Sequence, residues 1–170
     1  MEDDGRPAAG FFGKLPATGD FVSRGLPDGF RRAWDGWITR HVAPRLREGA
    51  ALPEGGLRFR LTSGGRAAAG VILPSQDSAG RVFPLCLILT ADALPGPADL
   101  DPWCDAAVLA ARDSPDGLWL ALDELPPPAG APAAEAPPLL LWRRGAAALA
   151  ADPGDPSAAL AALAGAVSSG

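Results

Sequence analysis

Residues 74–85, PSQDSAGRVFPL, set a serine, a glutamine, an aspartate and an arginine between the apolar runs AAAGVIL and FPLCLIL. Two residues are enough to join two antiparallel strands, so this many hydrogen-bonding side chains call for a reason. Ser75 two residues from Asp77 brings a hydroxyl near a carboxylate, and Arg81 adds a planar cation that suits bidentate contacts. A second polar stretch, ATGDFVSRGLPDG, follows Lys14 and carries Asp20 and Arg24. If the strands leading into the two loops are neighbours, Lys14, Asp20, Arg24, Ser75, Asp77 and Arg81 meet at one end of a sheet. Asp77 then accepts from Arg24 or Arg81, with Asp20 paired to the other guanidinium. Such a cluster has three readings. It is a clamp built on Asp and Ser turns with Gly80 as permissive backbone, a surface that docks a partner, or the site of a small hydrolase or ligand-binding domain using Asp20, Ser75, Asp77 and Arg81.

The hydrolase reading lacks parts. A nucleophilic serine needs an adjacent base, and the nearby carboxylates are of the kind that arginine holds ionised. No GxSxG accompanies any serine. Asp20, Asp35 and Asp77 are too scattered in sequence to predict a metal-holding carboxylate set. His41, the one histidine, falls on the apolar edge of a predicted helix and reads as a packing or capping residue. Cys86 and Cys104 lie in apolar surroundings and read as a buried, reduced pair. No cofactor, metal or enzymatic activity is expected.

Composition narrows the partners. The 170 residues carry 15 Lys and Arg against 20 Asp and Glu, a net charge of -5. No basic cluster is dense enough to track a phosphate backbone, which argues against nucleic acid. All but Lys14 of the positive charge is arginine, the residue of planar contacts. No apolar run approaches the roughly 18 residues of a membrane span, and MEDDGRPAAG does not read as a signal peptide. A cytoplasmic protein is the expectation.

The elements that must position the cluster follow from periodicity. Residues 1–9 are acidic and aperiodic, which predicts a disordered tail, and GFFGKLP predicts a short strand stopped by Pro16. From Pro27, the residues Phe30, Trp34, Trp37, Ile38, His41 and Val42 recur at three- and four-residue intervals, a helical stripe. Asp28 is its expected N-cap and Pro44 its end. LRFRLTSG alternates Leu57, Phe59 and Leu61 with Arg58 and Arg60, predicting a half-exposed strand with a solvated basic face. AAAGVILP and RVFPLCLILT read as central strands joined by a hairpin over Pro74–Gly80, with Pro84 marking a bulge or an edge. Helices are predicted from Asp99 or Asp101, with Trp103, Ala107, Leu109 and Ala110 inward, and from the Ser114–Pro115 cap. A Pro/Ala-rich linker spans 126–138, LLLWRRG is a last strand, and DPSAALAALAGAV a last helix capped by Asp155. The sum is one domain over 10–170 of α/β class, a three-layer αβα sandwich around a mixed β-sheet.

Three stretches in order, GFFGKLPATGDFVSRGLP, FRRAWDGWI and GVILPSQDSAGRVFPL, resemble the TagF/ImpM family of type VI secretion-associated proteins. The likeness covers most of residues 10–90. Before LRFR this chain is shorter than the family pattern, with Leu57 where a tryptophan usually stands. The resemblance implies a noncatalytic cytoplasmic accessory protein of the type VI secretion system. Such a protein acts by protein–protein binding in posttranslational control of assembly, in a circuit with a threonine kinase, a PP2C-type phosphatase and a forkhead-associated scaffold. It makes Lys14, Asp20, Arg24, Asp35, Ser75, Asp77 and Arg81 the candidates for partner binding or for a loop clamp.

Overall fold

The computed structural model describes residues 7–63, 65–133 and 136–164. The chain runs β1 (Ala8–Gly13), β2 (Val22–Arg24), α1 (Asp28–His41), α2 (Ala43–Arg47), β3 (Leu57–Ser63), β4 (Arg66–Leu73) and β5 (Leu85–Ala91). It continues through α3 (Pro97–Ala110), α4 (Pro115–Asp123), β6 (Leu139–Arg143), β7 (Leu149–Ala151) and α5 (Ser157–Leu163). The seven strands form one sheet in the order β2-β1-β5-β4-β3-β6-β7. Every neighbouring pair is antiparallel, so the α/β class holds but the expected mixed sheet is corrected. The reason is placement. α1 and the five-residue α2 link β2 to β3, which run the same way, but those strands lie on opposite sides of the central pair and never become neighbours. Between β5 and β6 the chain passes through α3 and α4, and β6 joins the far side of β3, running against it.

Strand parity divides the core. Phe12, Phe59, Ala68, Ile72, Cys86, Ile88 and Leu141 face one side, where Trp34 and Ile38 of α1 and Leu160 and Leu163 of α5 cover them. Phe11, Val71, Leu85, Leu87 and Leu89 face the other, under Trp103, Cys104 and Ala107 of α3 and Leu118 and Leu122 of α4. β4 and β5 are apolar on both faces because both are covered. Gly70 in β4 stands where a Cβ would meet the Leu87 carbonyl oxygen at 2.0 Å, so the two central strands approach as closely as they do only without a side chain there.

Arg58 and Arg60 are the main surprise. β3 is not half exposed: it lies between β4 and β6, and the two arginines are 1% and 3% exposed. Arg58 forms ion pairs with Asp101 at 2.7 Å and Asp105 at 2.6 Å, both on α3, and Asp101 also accepts from the Trp142 indole N–H at 2.9 Å. Burial works against the Arg58 charge, but the Asp105 and Asp101 carboxylates outweigh it and raise its pKa above the ordinary value. Arg60 donates instead to the carbonyls of Pro95 and Leu94, at 2.9 and 2.8 Å, and burial lowers its pKa. Alternation along the strand was real, but the second face meets helix α3 and the Leu94–Pro95 segment before it rather than water.

Several boundaries also move. Residues 8 and 9 belong to β1 rather than to a tail, while residues 1–6 lie outside the described residues. β2 and β7, three residues each, are too short to show a period. Asp28 is the first helical residue rather than the cap, where its carboxylate still suits the positive end of α1. Proline at the start of α2 breaks the helix after His41, as expected. Pro84 precedes β5, a central strand, so it marks neither an edge nor a bulge within one. α3 begins earlier than expected, at Pro97, and its Leu109 is 81% exposed instead of inward. Ser114 caps α4 by accepting from the Gly117 N–H at 3.1 Å. Residues 126–133 form no helix or strand, and the Ala133 N–H is tied to the Leu94 carbonyl at 3.1 Å.

Candidate functional site

The β1–β5 register sets Gly13 opposite Leu85, so the residues that follow β1 and those that precede β5 share one end of the sheet. Lys14 comes immediately after Gly13 and is 7% exposed. The 74–84 loop folds back on itself through a bridge between Gln76 and Val82, a Phe83 N–H to Ser75 carbonyl bond of 3.1 Å, and Gly80 at φ +81°. That left-handed backbone at Gly80 is one that side chains disfavour, and it lets the Gly80 N–H reach the Asp77 carbonyl at 2.9 Å.

Asp77 is the hub. The residue is 1% exposed, and one carboxylate oxygen accepts from Lys14 Nζ at 2.9 Å and Arg81 Nε at 2.7 Å. The other oxygen accepts the backbone N–H groups of Ala79 and Arg81, at 3.0 and 2.9 Å. Lys14, with those N–H groups and Arg81, holds the carboxyl far below the usual carboxylate range, against the opposing effect of burial. A carboxylate so engaged has no free basic lone pair to offer a substrate. Ser75 donates its hydroxyl to the Lys14 carbonyl at 2.6 Å, a bond that spans 61 positions of sequence. Two more bonds join the loops: Arg81 Nη2 to the Gly19 carbonyl at 3.1 Å, and the Ser78 N–H to the Thr18 carbonyl at 2.8 Å.

Of the seven predicted residues, Lys14, Ser75, Asp77 and Arg81 come together. Arg24 does not. It lies over the Trp119 ring, 5.2 Å from the centroid, and pairs with Asp116 at 2.6 Å, which ties β2 to the start of α4. Asp20 takes no arginine either: its carboxylate accepts the N–H of Phe21, its neighbour, at 2.7 Å. The expected Asp20–arginine pair is therefore corrected, because the turn at Asp20 directs the carboxylate to the local backbone. Asp35 sits on α1 and accepts from Thr39 one turn later, at 3.1 Å.

Around the clamp opens a groove of about 390 Å³ that includes Thr39 and Arg47 from α1 and α2, Phe21 from the first loop, and Val82 from the second. Sequence reasoning missed these four. Phe21 is the most telling, 49% exposed yet held against Phe83 with centroids 4.7 Å apart and under the Lys14 ammonium at 4.9 Å. An aromatic within a run of turn formers was the available signal.

Conventional reactive groups are remote or inert. Cys86 and Cys104 are free and buried, and burial pushes both thiols up to about 12. His41 packs against Trp37, with centroids 5.6 Å apart, and burial, aided by Arg40, lowers its pKa. Among the described residues no group of three His, Cys, Asp or Glu side chains is arranged to hold a metal ion, and no helix is long and apolar enough to cross a membrane.

The fold has a solved counterpart. The crystal structure of PA0076 from Pseudomonas aeruginosa PAO1 matches with a TM-score of 0.55 and 33% sequence identity. The match covers 71% of this chain and 64% of that one, so this chain spans less than two thirds of its counterpart. No curated protein matches the sequence. Residues 10–125 match the family described as TagF N-terminal domain, type VI secretion system-associated, and these residues hold the whole clamp. The chain belongs to the TagF N-terminal domain family of type VI secretion-associated proteins.

Proposed function

We propose that this chain is a noncatalytic, cytoplasmic accessory protein of the type VI secretion system. It acts by binding another component of the apparatus in posttranslational control of assembly. A forkhead-associated scaffold is the first partner to test. Membership of the family supports the setting. The observation that carries the mechanism is Asp77, whose two oxygens are consumed in bracing their own loop and tying it to Lys14, so that the cluster shapes a surface rather than performs chemistry. The fold suits this role as a three-layer αβα sandwich, whose sheet end presents the clamped loops as a rigid rim. Lys14, Ser75 and Asp77 set that rim, Arg81 presents it, and Asp20, Arg24 and Asp35 belong to its surroundings.

The hydrolase or ligand-binding alternative needs a carboxylate raised toward neutrality or a serine beside a base. Asp77 moves in the opposite direction, and the Ser75 proton goes to a backbone carbonyl. The test is affinity capture from native lysate, with this protein and its Arg81→Glu variant as baits and their folding compared by circular dichroism. Type VI components on the wild-type bait and their loss on the folded variant are the expected result. Type VI components on neither bait would overturn the proposal.

A further inference from the structure

We infer that the groove beside the clamp seats an acidic peptide segment of a partner protein, with one large apolar side chain among its carboxylates. The inference rests on the protein-binding reading above and names the chemistry of what is bound. Charge is the first argument. The groove lining holds Lys14, Arg47 and Arg81 and no carboxylate. Asp77 beneath it is sealed from solvent and offsets one of those charges, which leaves a surplus of two. The helical residues next to that lining add Arg40 and Arg45, while Asp20 and Glu48 flank Phe21 and Arg47 without entering it, on a chain whose net charge is -5. The positive field is thus local, and it is complementary to an acidic segment.

The second argument is that the cations are available. Arg47 is exposed and makes no ion pair among the described residues. Arg81 uses Nε on Asp77 and Nη2 on Gly19, while Nη1 has no partner among the described residues. The third argument is the apolar rim. Phe21 and Val82, 49% and 37% exposed, stand among the few large hydrophobic side chains open to solvent, and both line this groove. Phe21 is braced by Phe83 and stacks on Phe12 at 6.1 Å, so an apolar side chain laid on it meets a surface already ordered. A small inorganic anion would leave that rim wet. A long polyanion would meet the repulsion of the rest of the chain.

The test is selection from a random twelve-residue peptide display library on the full chain, followed by fluorescence anisotropy of the enriched peptides. Enriched sequences are expected to carry excess Asp and Glu with a Leu, Phe or Trp. Their affinity should fall about three- to tenfold on Arg47→Glu, and it should weaken as salt screens the charges. Arg47 makes no ion pair or side-chain hydrogen bond among the described residues, so that variant should fold as wild type, and Val82→Asp provides a second probe of the rim. No enrichment, enrichment of peptides without acidic excess, or affinities unmoved by both variants would overturn the inference. Lysate capture separates the two levels. If wild-type protein and the Arg47→Glu and Val82→Asp variants all hold type VI components equally, the groove inference falls and the accessory reading stands. If wild type holds none, the accessory reading itself falls.

Discussion

Asp77 gathers four hydrogen bonds onto a side chain with almost no solvent, and its neighbours are chosen accordingly. Lys14 is nearly as buried, so each charge makes the other tolerable. Arg81 lies mostly in solvent and contributes less, since an exposed cation keeps its hydration. Asp77→Asn should therefore lower the melting temperature more than Arg81→Gln, because the amide leaves Lys14 buried beside a neutral group. The pH dependence has a definite sign. A carboxyl held below its ordinary value contributes stability that is complete above about pH 5, where the unfolded chain's aspartates are ionised, and that is lost as pH falls toward the folded value. Wild-type protein should lose stability on acidification below that point, and Asp77→Asn should show a shallower loss in thermal melts across the acid range. An equal acid slope in both would show that Asp77 is not the hub.

At the scale of elements, the joint between β3 and α3 is polar where most joints of this fold are apolar. Arg58 reaches from the strand to Asp101 and Asp105 on successive turns of the helix, and Arg144 reaches Asp105 from the end of β6 at 3.1 Å. A planar guanidinium spans two carboxylates in a way an ammonium does not. Arg58→Met should cost about 2 kcal/mol, below the roughly 3–5 kcal/mol of stranding a fully buried charge, because both aspartates keep some contact with water. Arg58→Lys should fall between methionine and wild type. Urea denaturation measures both, and a methionine variant as stable as wild type would make the network replaceable by apolar packing. α1 does a different job. It buries Trp34 and Ile38 and leaves Thr39 near its end to face the groove, so one helix serves the core and the rim.

Across the whole molecule, the family match ends at Leu125, but the sheet does not. β6 pairs with β3 along Leu57–Leu61, and Leu139, Leu141, Trp142, Leu160 and Leu163 complete the cores on both faces. Residues 1–125 alone would expose the edge of β3 and strip Arg58 of the wall that Trp142 provides, an unprotected edge of the kind that aggregates. That fragment is expected to be insoluble or to melt without a cooperative transition in calorimetry, while the full chain melts cooperatively. A soluble, cooperatively melting fragment would mean that the matched region is self-sufficient. The clamp lies wholly within the matched region, at the sheet end where β1 stops and β5 begins.

The sequence by itself determined the α/β class, the helical stripe of α1, the two buried central strands and the loop that carries Ser75, Asp77 and Arg81. Each rests on local information: periodicity, turn chemistry and apolar runs. Spacing also allowed the Asp77–Arg81 pair, four residues apart within one loop. Only the tertiary structure decided that Lys14, 63 positions from Asp77, is the other half of that site, and that Arg24 leaves for Asp116. It alone decided that the Arg58 face meets α3, that neighbouring strands are all antiparallel, and that Phe21, Thr39, Arg47 and Val82 border one groove. The reason is physical. A period of two shows that a strand has two faces, but what covers each face is set by strand order, and strand order is a property of the whole chain.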